Sequence, residues 1–321
     1  MKERILSVLK NSSGYISGEM LSRELGVSRT AVWKNIKILR NEGYVIDSVT
    51  NKGYMLISLP DKLSSAIIRE NLGTLSVGTE IIILDSVDST NDELKRLTAK
   101  NAESGLIIAA EQQTKGKGRL TRSWSSGNGG IYFSLLLRPD LPPTDIAGIT
   151  LAAGYGVCLA IREYTGLDAK IKWPNDVIIG RKKVCGILTE MAAQTDRVDY
   201  VVIGIGINVN TETFPDEISS KASSLFIESG KKIDRNDFFR CVIKKLDTVI
   251  TSFMASFSAE DMSDFRNLCA TIGREVSVER NNHTISGIAE DVTDSGELVI
   301  LDNSGNKFTI NSGEVIVQGI Y

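Results

Sequence analysis

Apolar residues in the first sixty positions recur at helical spacing. Ile5, Leu6 and Leu9 form a stripe that stops near Asn11-Ser12-Ser13-Gly14, and Met20, Leu21 and Leu25 form a second, starting after Ser17 and ending at Gly26. Ser28 can cap a third helix, whose Val32, Ile36 and Leu39 return to the same core. Tyr44 to Val49 and Tyr54 to Ile57 then flank Thr50-Asn51-Lys52-Gly53, a turn rich in residues that tolerate positive φ. Helix, turn, helix and hairpin predict a winged helix-turn-helix over residues 1–60.

The pattern changes after Pro60-Asp61, which reads as the start of a linker, and a helix over Lys62 to Asn71. Apolar strands follow at Glu80 to Asp85, Gly105 to Glu111, Ile131 to Arg138, Lys170 to Lys172, Val177 to Ile179, Val184 to Met191 and Tyr200 to Val209. Longer helical stretches interrupt them: Asp145 to Tyr164, rich in Ala and Gly, and Asp234 to Phe257, with Phe238, Val242, Leu246 and Ile250 on one side. This order predicts an α+β layer on a mixed or antiparallel sheet, occupying residues 61–270. Beyond Gly273, short strands alternate with turns at Asn281-Asn282, Asp294-Ser295-Gly296 and Asn303-Ser304-Gly305-Asn306, which predicts a small SH3-like barrel over residues 271–321. The expected fold class is therefore α+β and multidomain.

Composition adds little to this picture: 42% hydrophobic and 24% charged residues suit a globular protein. The start MKERILSVLKNSSG lacks the apolar core of a signal peptide, and no run approaches the ~18 apolar residues that span a bilayer. Cys158, Cys185, Cys241 and Cys269 are widely spaced among apolar neighbours, which predicts buried reduced thiols and a cytoplasmic location without a membrane partner. Charge is more informative. Residues 1–60 hold nine Lys or Arg against five Asp or Glu, whereas the whole chain has a net charge of −3. A basic head on an acidic body predicts that the head alone meets nucleic acid. On the third helix Arg29, Trp33, Lys37 and Arg40 share a face, with Ser28, Thr30 and Lys34 beside it and Lys52 at the wing tip. That face suits a major groove, its cations meeting phosphates and its first turn reading base edges. A solvated surface, or a winged helix that contacts only protein, is the bland alternative.

Four polar islands interrupt the central strands. Asp88-Ser89-Thr90-Asn91 stands at a strand-to-helix junction, where a helix cap is the plain reading. Gln113-Thr114-Lys115-Gly116-Lys117-Gly118-Arg119, followed by Arg122 and Trp124, concentrates cations beside glycines whose amides are accessible, as a loop that wraps an anion would. It has neither the Gly-Lys-Ser/Thr of a Walker A motif nor the third glycine of a dinucleotide fingerprint. Lys172-Trp173-Pro174-Asn175-Asp176 supplies oxygens that suit Mg²⁺ bound with a nucleotide, and a turn at Gly180-Arg181-Lys182 would aim Lys183 back at the same sheet end. Gly204-Ile205-Gly206-Ile207-Asn208 places two glycines on one strand face, either for a flat ligand or for tight packing.

In this order the islands closely resemble the bifunctional biotin protein ligases that double as biotin operon repressors, over nearly the whole chain. The resemblance implies a central domain like biotin ligases and class II aminoacyl-tRNA synthetases. It implies that Ser89, Thr90, Asn91 and Gln113 hold biotin, over a floor of Gly204 and Gly206. It assigns Gly116, Lys117, Gly118, Arg119 and Lys183 to the biotin carboxylate and α-phosphate, with Lys183, Lys117 and Arg119 catalytic. Arg119, Arg122, Trp124, Lys172, Asn175, Asp176 and Asn208 would serve ATP, with Asp176 toward Mg²⁺. The implied reaction forms biotinyl-5′-AMP from biotin and ATP, then transfers biotin to a lysine of a biotin carboxyl carrier protein. The adenylate would act as corepressor, favouring a homodimer on operator DNA. Two departures stand out: the family loop commonly reads Gly-Arg-Gly-Arg where Lys117 replaces the first Arg, and Thr121 stands where some members have Gly. A carboxylate needs a leaving group before it can acylate an amine, and no Ser/His or Cys/His arrangement offers a covalent route. The lone His283 is expected at the surface of the carboxy-terminal region. The runner-up readings are a lipoate or octanoate ligase and a ligand-sensing repressor without catalysis.

Overall fold

The structure is a computed structural model that describes every residue except Glu42, Leu59, Pro60, Ala147, Phe257, Asn281, Asn282 and Ser312, and omits the side chains of Arg280 and His283. The expected linker start at Pro60, the turn at Asn281-Asn282 and the His283 side chain therefore lie outside the described residues. The chain divides into two compact units, Met1–Lys62 and Leu63–Tyr321.

The first unit contains α1 (Lys2–Lys10), α2 (Gly18–Leu25), α3 (Arg29–Asn41) and the hairpin β1 (Val45–Val49) and β2 (Gly53–Ser58). Ile5, Leu9, Leu21, Leu25, Val32, Ile36, Leu39 and Ile46 make its core. Ser17 accepts a hydrogen bond from the Met20 amide to cap α2, Gly26 ends that helix in the left-handed region, and Ser28 accepts from the Ala31 amide. Gly53 is required by close approach, because a Cβ there would collide with the Ile16 backbone. One expectation is corrected. Met20 is 49% exposed, since it lies a step away from the buried stripe of Leu21 and Leu25.

The second unit is built on a seven-stranded sheet in the order β3-β4-β5-β9-β8-β7-β6. These strands are β3 (Glu80–Val87), β4 (Leu106–Gln113), β5 (Ile131–Leu137), β6 (Ala169–Lys172), β7 (Asp176–Ile179), β8 (Lys182–Ala193) and β9 (Val198–Ile207). Only β3 and β4 pair in parallel; the other neighbours are antiparallel. Helices cover both faces, which is why every residue of β5 is buried and all but Ser134 are apolar. On one face α7 (Ile149–Thr165) and α10 (Arg235–Ser256) form the main core, with Phe133 and Phe239 rings 4.7 Å apart. On the other, Leu94 of α5 (Thr90–Thr98) meets Leu106, Ile108, Leu136 and Val202.

Several elements differ from the sequence pattern. The helix expected over Lys62 to Asn71 is only α4 (Ser65–Arg69), capped by Ser64. The long helix expected from Asp145 divides into α6 (Pro143–Ile146) and α7, and Gly148 between them faces Phe253, which a Cβ would meet at 3.0 Å. Between α7 and α10 stand two short helices, α8 (Asp216–Ser219) and α9 (Leu225–Ser229). A further helix, α11 (Ala259–Leu268), starts at a capping box of Ser258 and Asp261, a signature present in the sequence but passed over.

The carboxy-terminal strands β10 (Glu275–Arg280), β11 (His283–Val292), β12 (Leu298–Leu301), β13 (Lys307–Ile310) and β14 (Val315–Val317) form an antiparallel sheet in the order β13-β12-β11-β10-β14. The last strand, β14, pairs back on the first, β10, and the five strands make the expected small β-domain. It is anchored on the central domain: the Trp173 indole donates to the Gly296 carbonyl at 2.9 Å, and the Trp173 amide to Thr271 Oγ1 at 3.0 Å. Cys158, Cys185 and Cys269 are buried and Cys241 half-buried, all four free, and burial pushes each thiol up.

Candidate active site

The polar islands meet at one end of the seven-stranded sheet. A cleft there is lined by Ser89, Thr90, Asn91, Gln113, Lys117, Gly118, Arg119, Trp124, Asn175, Lys183, Gly204 and Gly206, together with Phe133 and residues 186–188. Ser89 is the N-cap of α5 and accepts from the Asp92 amide, so its plain role as a helix cap is realised at the edge of the cleft. Thr90 donates to Gln113 Oε1 from its amide at 2.9 Å and its hydroxyl at 3.1 Å. Ser134, fully buried on β5, donates to Thr90 Oγ1 at 2.7 Å and is 2.5 Å from Asn91 Oδ1. Asn91 in turn donates to Glu190 at 2.7 Å. These side chains form an open hydrogen-bonded chain from Gln113 through Thr90, Ser134 and Asn91 to Glu190, in which the single Ser134 proton faces two acceptors, and a ligand head that enters must exchange with it.

The basic loop is a tight hairpin. The Trp124 amide donates to Gly116, the Gly118 amide to Arg122, and the Arg122 amide to Arg119. Gly116 permits this closeness, since a Cβ there would meet the Trp124 carbonyl at 2.6 Å. Leu120 and Thr121 form the tip with φ of 53° and 63°, values that a two-residue hairpin turn requires and that Asn-Gly would adopt at lower cost. Arg119 donates to Asn175 Oδ1 at 3.1 Å and to the Gly313 carbonyl at 2.8 Å, while Arg122 pairs with Glu314. The carboxy-terminal domain therefore holds two of the loop's cations, although its sequence offered no chemistry of its own.

Lys117 is paired with Asp92 at 2.6 Å, and Asp92 also meets Lys95, which reaches Glu190 at 2.9 Å. Burial pushes the Asp92 carboxyl up, but Lys117 and Lys95 outweigh it and hold it below the usual carboxylate range. The turn at Gly180-Arg181 returns Lys183 as anticipated: its ammonium lies 2.6 Å from Asp176 Oδ1 and 5.3 Å from the Trp124 ring centroid. Asp176 Oδ2 accepts from the Tyr321 hydroxyl at 2.5 Å. Asp176 Oδ1 is buried and held by the Lys183 ion pair without a hydrogen bond, and no cluster of three metal-ligating side chains occurs among the described residues.

Lys172 lies outside the cleft lining, buried with its ammonium 3.6 Å from the Tyr321 ring centroid, and burial lowers its pKa to about 8. Asn208 stands apart too: it is buried, and its amide donates to the Ser223 carbonyl as a brace at the end of β9. Gly204 and Gly206 are tight for a reason the sequence did not show. A Cβ on Gly204 would collide with the Asn91 side chain, and one on Gly206 would come within 2.5 Å of the Trp124 indole. Ser134, Gly186, Glu190 and Tyr321 were missed. Of these only Gly186, in an apolar strand, carried a signal; a Cβ there would meet Trp124 at 2.7 Å.

Three segments of the chain match known families. Residues 83–208 match the biotin/lipoate A/B protein ligase family, residues 2–55 an HTH domain and residues 271–317 the biotin protein ligase C-terminal domain. The chain is similar to the bifunctional ligase/repressor BirA of Bacillus subtilis, 40% identical over 296 residues that cover 91% of each chain. The chain belongs to the bifunctional ligase/repressor family of biotin protein ligases. The relative from Escherichia coli, of the same name, is 30% identical over 92% of this chain and 91% of its own. Among solved structures, the biotin protein ligase from Aquifex aeolicus in complex with biotin and ATP is similar with a TM-score of 0.66 and 33% identity, covering 74% of this chain and 98% of that one.

In the winged unit of this family member, Ser28 just before α3, Arg29, Thr30, Trp33, Lys34 and Lys37 on it, and Lys52 on the wing are exposed. Lys37 lies 5.6 Å from the Trp33 ring centroid, and Lys52 5.8 Å from that of Tyr15. Arg40 departs from that face. Its guanidinium donates to the Ile46 carbonyl at 2.6 Å and to Ser48 Oγ at 2.9 Å, bracing the hairpin against the helix.

Proposed function

We propose that this chain joins biotin to ATP as biotinyl-5′-AMP, transfers biotin to a lysine of a biotin carboxyl carrier protein, and represses transcription from operator DNA with the adenylate as corepressor. The observation that carries the catalytic half is a chain of hydrogen-bonding side chains, Gln113, Thr90, Ser134 and Asn91, beside a cleft that Lys117, Arg119 and Lys183 also line. A ureido head offers both donors and acceptors, and a carboxylate at the far end of a short chain needs cations.

The chemistry follows from charge. The biotin carboxylate attacks the α-phosphorus and pyrophosphate leaves, so two anions must come together while charge spreads over phosphate oxygens. Lys117, Arg119 and Lys183 offset that repulsion, and holding both substrates in line removes most of the entropic barrier. Lys117 leaves its partner Asp92 to do so. That exposed pair is worth about 1 kcal/mol or less, which a substrate carboxylate can outcompete. Arg122, Trp124 and Asn175 serve the nucleotide, Lys172 supports them from behind the cleft through Tyr321, Gly116 and Gly118 admit the nucleotide to the loop backbone, and Ser89 supports the pocket wall. Magnesium arrives as the counter-ion of ATP; binding it at Asp176 would require Lys183 or Tyr321 to give way. The carrier lysine then attacks the mixed anhydride, with the hairpin loop excluding water.

The regulatory half rests on the exposed basic face of α3. The domains we assign are 1–60 for DNA, 61–270 for ligation and 271–321 for the loop-holding sheet. Adenylate that orders the hairpin loop favours a homodimer, which would place two winged helices on a palindromic site in the cytoplasm. Purified chain incubated with biotin, ATP, magnesium and a carrier domain should biotinylate one carrier lysine and release pyrophosphate. Lipoate in place of biotin should give neither, and lipoylation at a comparable rate would transfer the assignment to the lipoate branch of the family. Operator binding that ignores biotin plus ATP would remove the corepressor step.

A further inference from the structure

Tyr321 and Lys183 divide one carboxylate between them. The Tyr321 hydroxyl donates to Asp176 Oδ2 at 2.5 Å, and the Lys183 ammonium lies 2.6 Å from Oδ1. The Tyr321 ring lies against the Lys172 ammonium, 3.6 Å from the centroid, and its amide donates to the Arg181 carbonyl at 3.1 Å. One side chain thus touches both strands of the β6–β7 pair, while its backbone is tied to the turn that aims Lys183. A hydroxyl this close to an ionised carboxylate makes a strong, directional hydrogen bond. Burial, followed by the Asp176 charge, pushes the phenol up, so it stays a donor.

The consequence concerns Lys183. If nothing donates to Oδ2, Asp176 is free to rotate and offer both oxygens to the ammonium, holding the cation away from the cleft. With the hydroxyl in place, only one oxygen faces Lys183. We propose that Tyr321 is a positioning residue for adenylation, fixing Asp176 so that Lys183 remains available to the reacting anions. This inference rests on the assignment of Lys183 to the anion site made above.

The experiment is biotin-dependent ATP–pyrophosphate exchange by the full chain, comparing Tyr321→Phe, Tyr321→Leu, Lys183→Ala and the Tyr321→Phe/Lys183→Ala double variant. Tyr321→Phe keeps the ring on Lys172 and loses only the hydroxyl. It should lower kcat about tenfold, the scale of one hydrogen bond to a charged group, with KM for biotin unchanged because the Gln113 pocket is untouched. Tyr321→Leu should lose more. In the Lys183→Ala background, Tyr321→Phe should cost nothing further, because its effect passes through Lys183. A parental kcat in Tyr321→Phe overturns the inference, and so does an equal loss in both backgrounds, which would mark a purely structural role. An inactive parent would instead overturn the adenylation reading itself. If Tyr321→Leu does not fold, the Phe variant and the double variant still decide.

Discussion

The indole of Trp124 lies against Gly206, on the strand face where a flat ligand was expected to rest. It also covers Gly186, and its N–H is buried without a hydrogen-bond partner. A buried orphan donor costs about 1–3 kcal/mol, so this placement is easily given up when a ligand offers an acceptor or takes the space. Trp124 is therefore expected to move on ligand binding. Of the three tryptophans, Trp33 is exposed and distant in function and Trp173 is locked by Gly296. The intrinsic fluorescence change on adding biotin and ATP should be carried by Trp124 and vanish in Trp124→Phe. A full-size change in that variant would place the motion elsewhere.

Gly204 serves Asn91. A methyl group at residue 204 would drive the Asn91 amide off Ser134 and Glu190, leaving buried polar groups unmatched. Gly204→Ala should weaken biotin binding by at least about tenfold and lower the thermal midpoint, whereas ATP binding in the absence of biotin should change little. Calorimetric titration with each substrate checks this; equal weakening of both would contradict it.

Much of this was legible before the structure. Helical spacing located α1 to α3, apolar runs located the strands, and four polar islands located the cleft, because each signal is local in sequence. Gly204 and Gly206 were legible as tight positions but not as to what approached them, since Asn91 and Trp124 come from other elements. Ser134 and Tyr321 were illegible for the same reason: a serine in an apolar strand and a tyrosine after a β-sheet acquire meaning only from the side chains that topology brings to them. The Arg40 role was lost in another way. Its spacing put it on the basic face, but an arginine is long enough to reach around to the Ile46 carbonyl.

Arg119 ties the hairpin loop to Asn175 and to Gly313. Removing it frees the loop from both while leaving Lys183 in place. Arg119→Gly should still form the adenylate but lose it to solution, read as free biotinyl-5′-AMP after rapid gel filtration and as diffuse labelling of bystander lysines. Retention equal to the parent would contradict this role.

Lys172 carries a charge that the fold resists. Burial lowers its pKa from the ordinary 10.5 to about 8, ahead of the opposing pull of Asp176. Its folded value is depressed, so the folded chain binds this proton less tightly than the unfolded chain. The penalty is fully present below pH 8 and fades as pH rises from 8 toward 10.5. Its scale is on the order of 3 kcal/mol. Lys172→Met should therefore raise the thermal midpoint at pH 7, with the advantage shrinking by pH 10, while slowing adenylation. A stability gain of equal size at both pH values would mean that packing, not charge, is its source.

Lys34 and Arg40 stand on one helix and should separate cleanly in a DNA-binding measurement. Lys34 is exposed on the first turns of α3, where its ammonium can reach a phosphate. Lys34→Ala should weaken operator binding and reduce the slope of log affinity against log salt by about 1, with no change in the stability of the winged unit. Arg40 is committed to Ile46 and Ser48, so Arg40→Ala removes the donors from a backbone carbonyl and loosens the hairpin that carries Lys52. That variant should lower the unfolding midpoint of residues 1–62 by the equivalent of about 1–3 kcal/mol and leave the salt slope nearly intact. Salt titrations of both variants on one operator, paired with thermal melts, check the assignment. A reduced salt slope in Arg40→Ala at parental stability would return Arg40 to the DNA face.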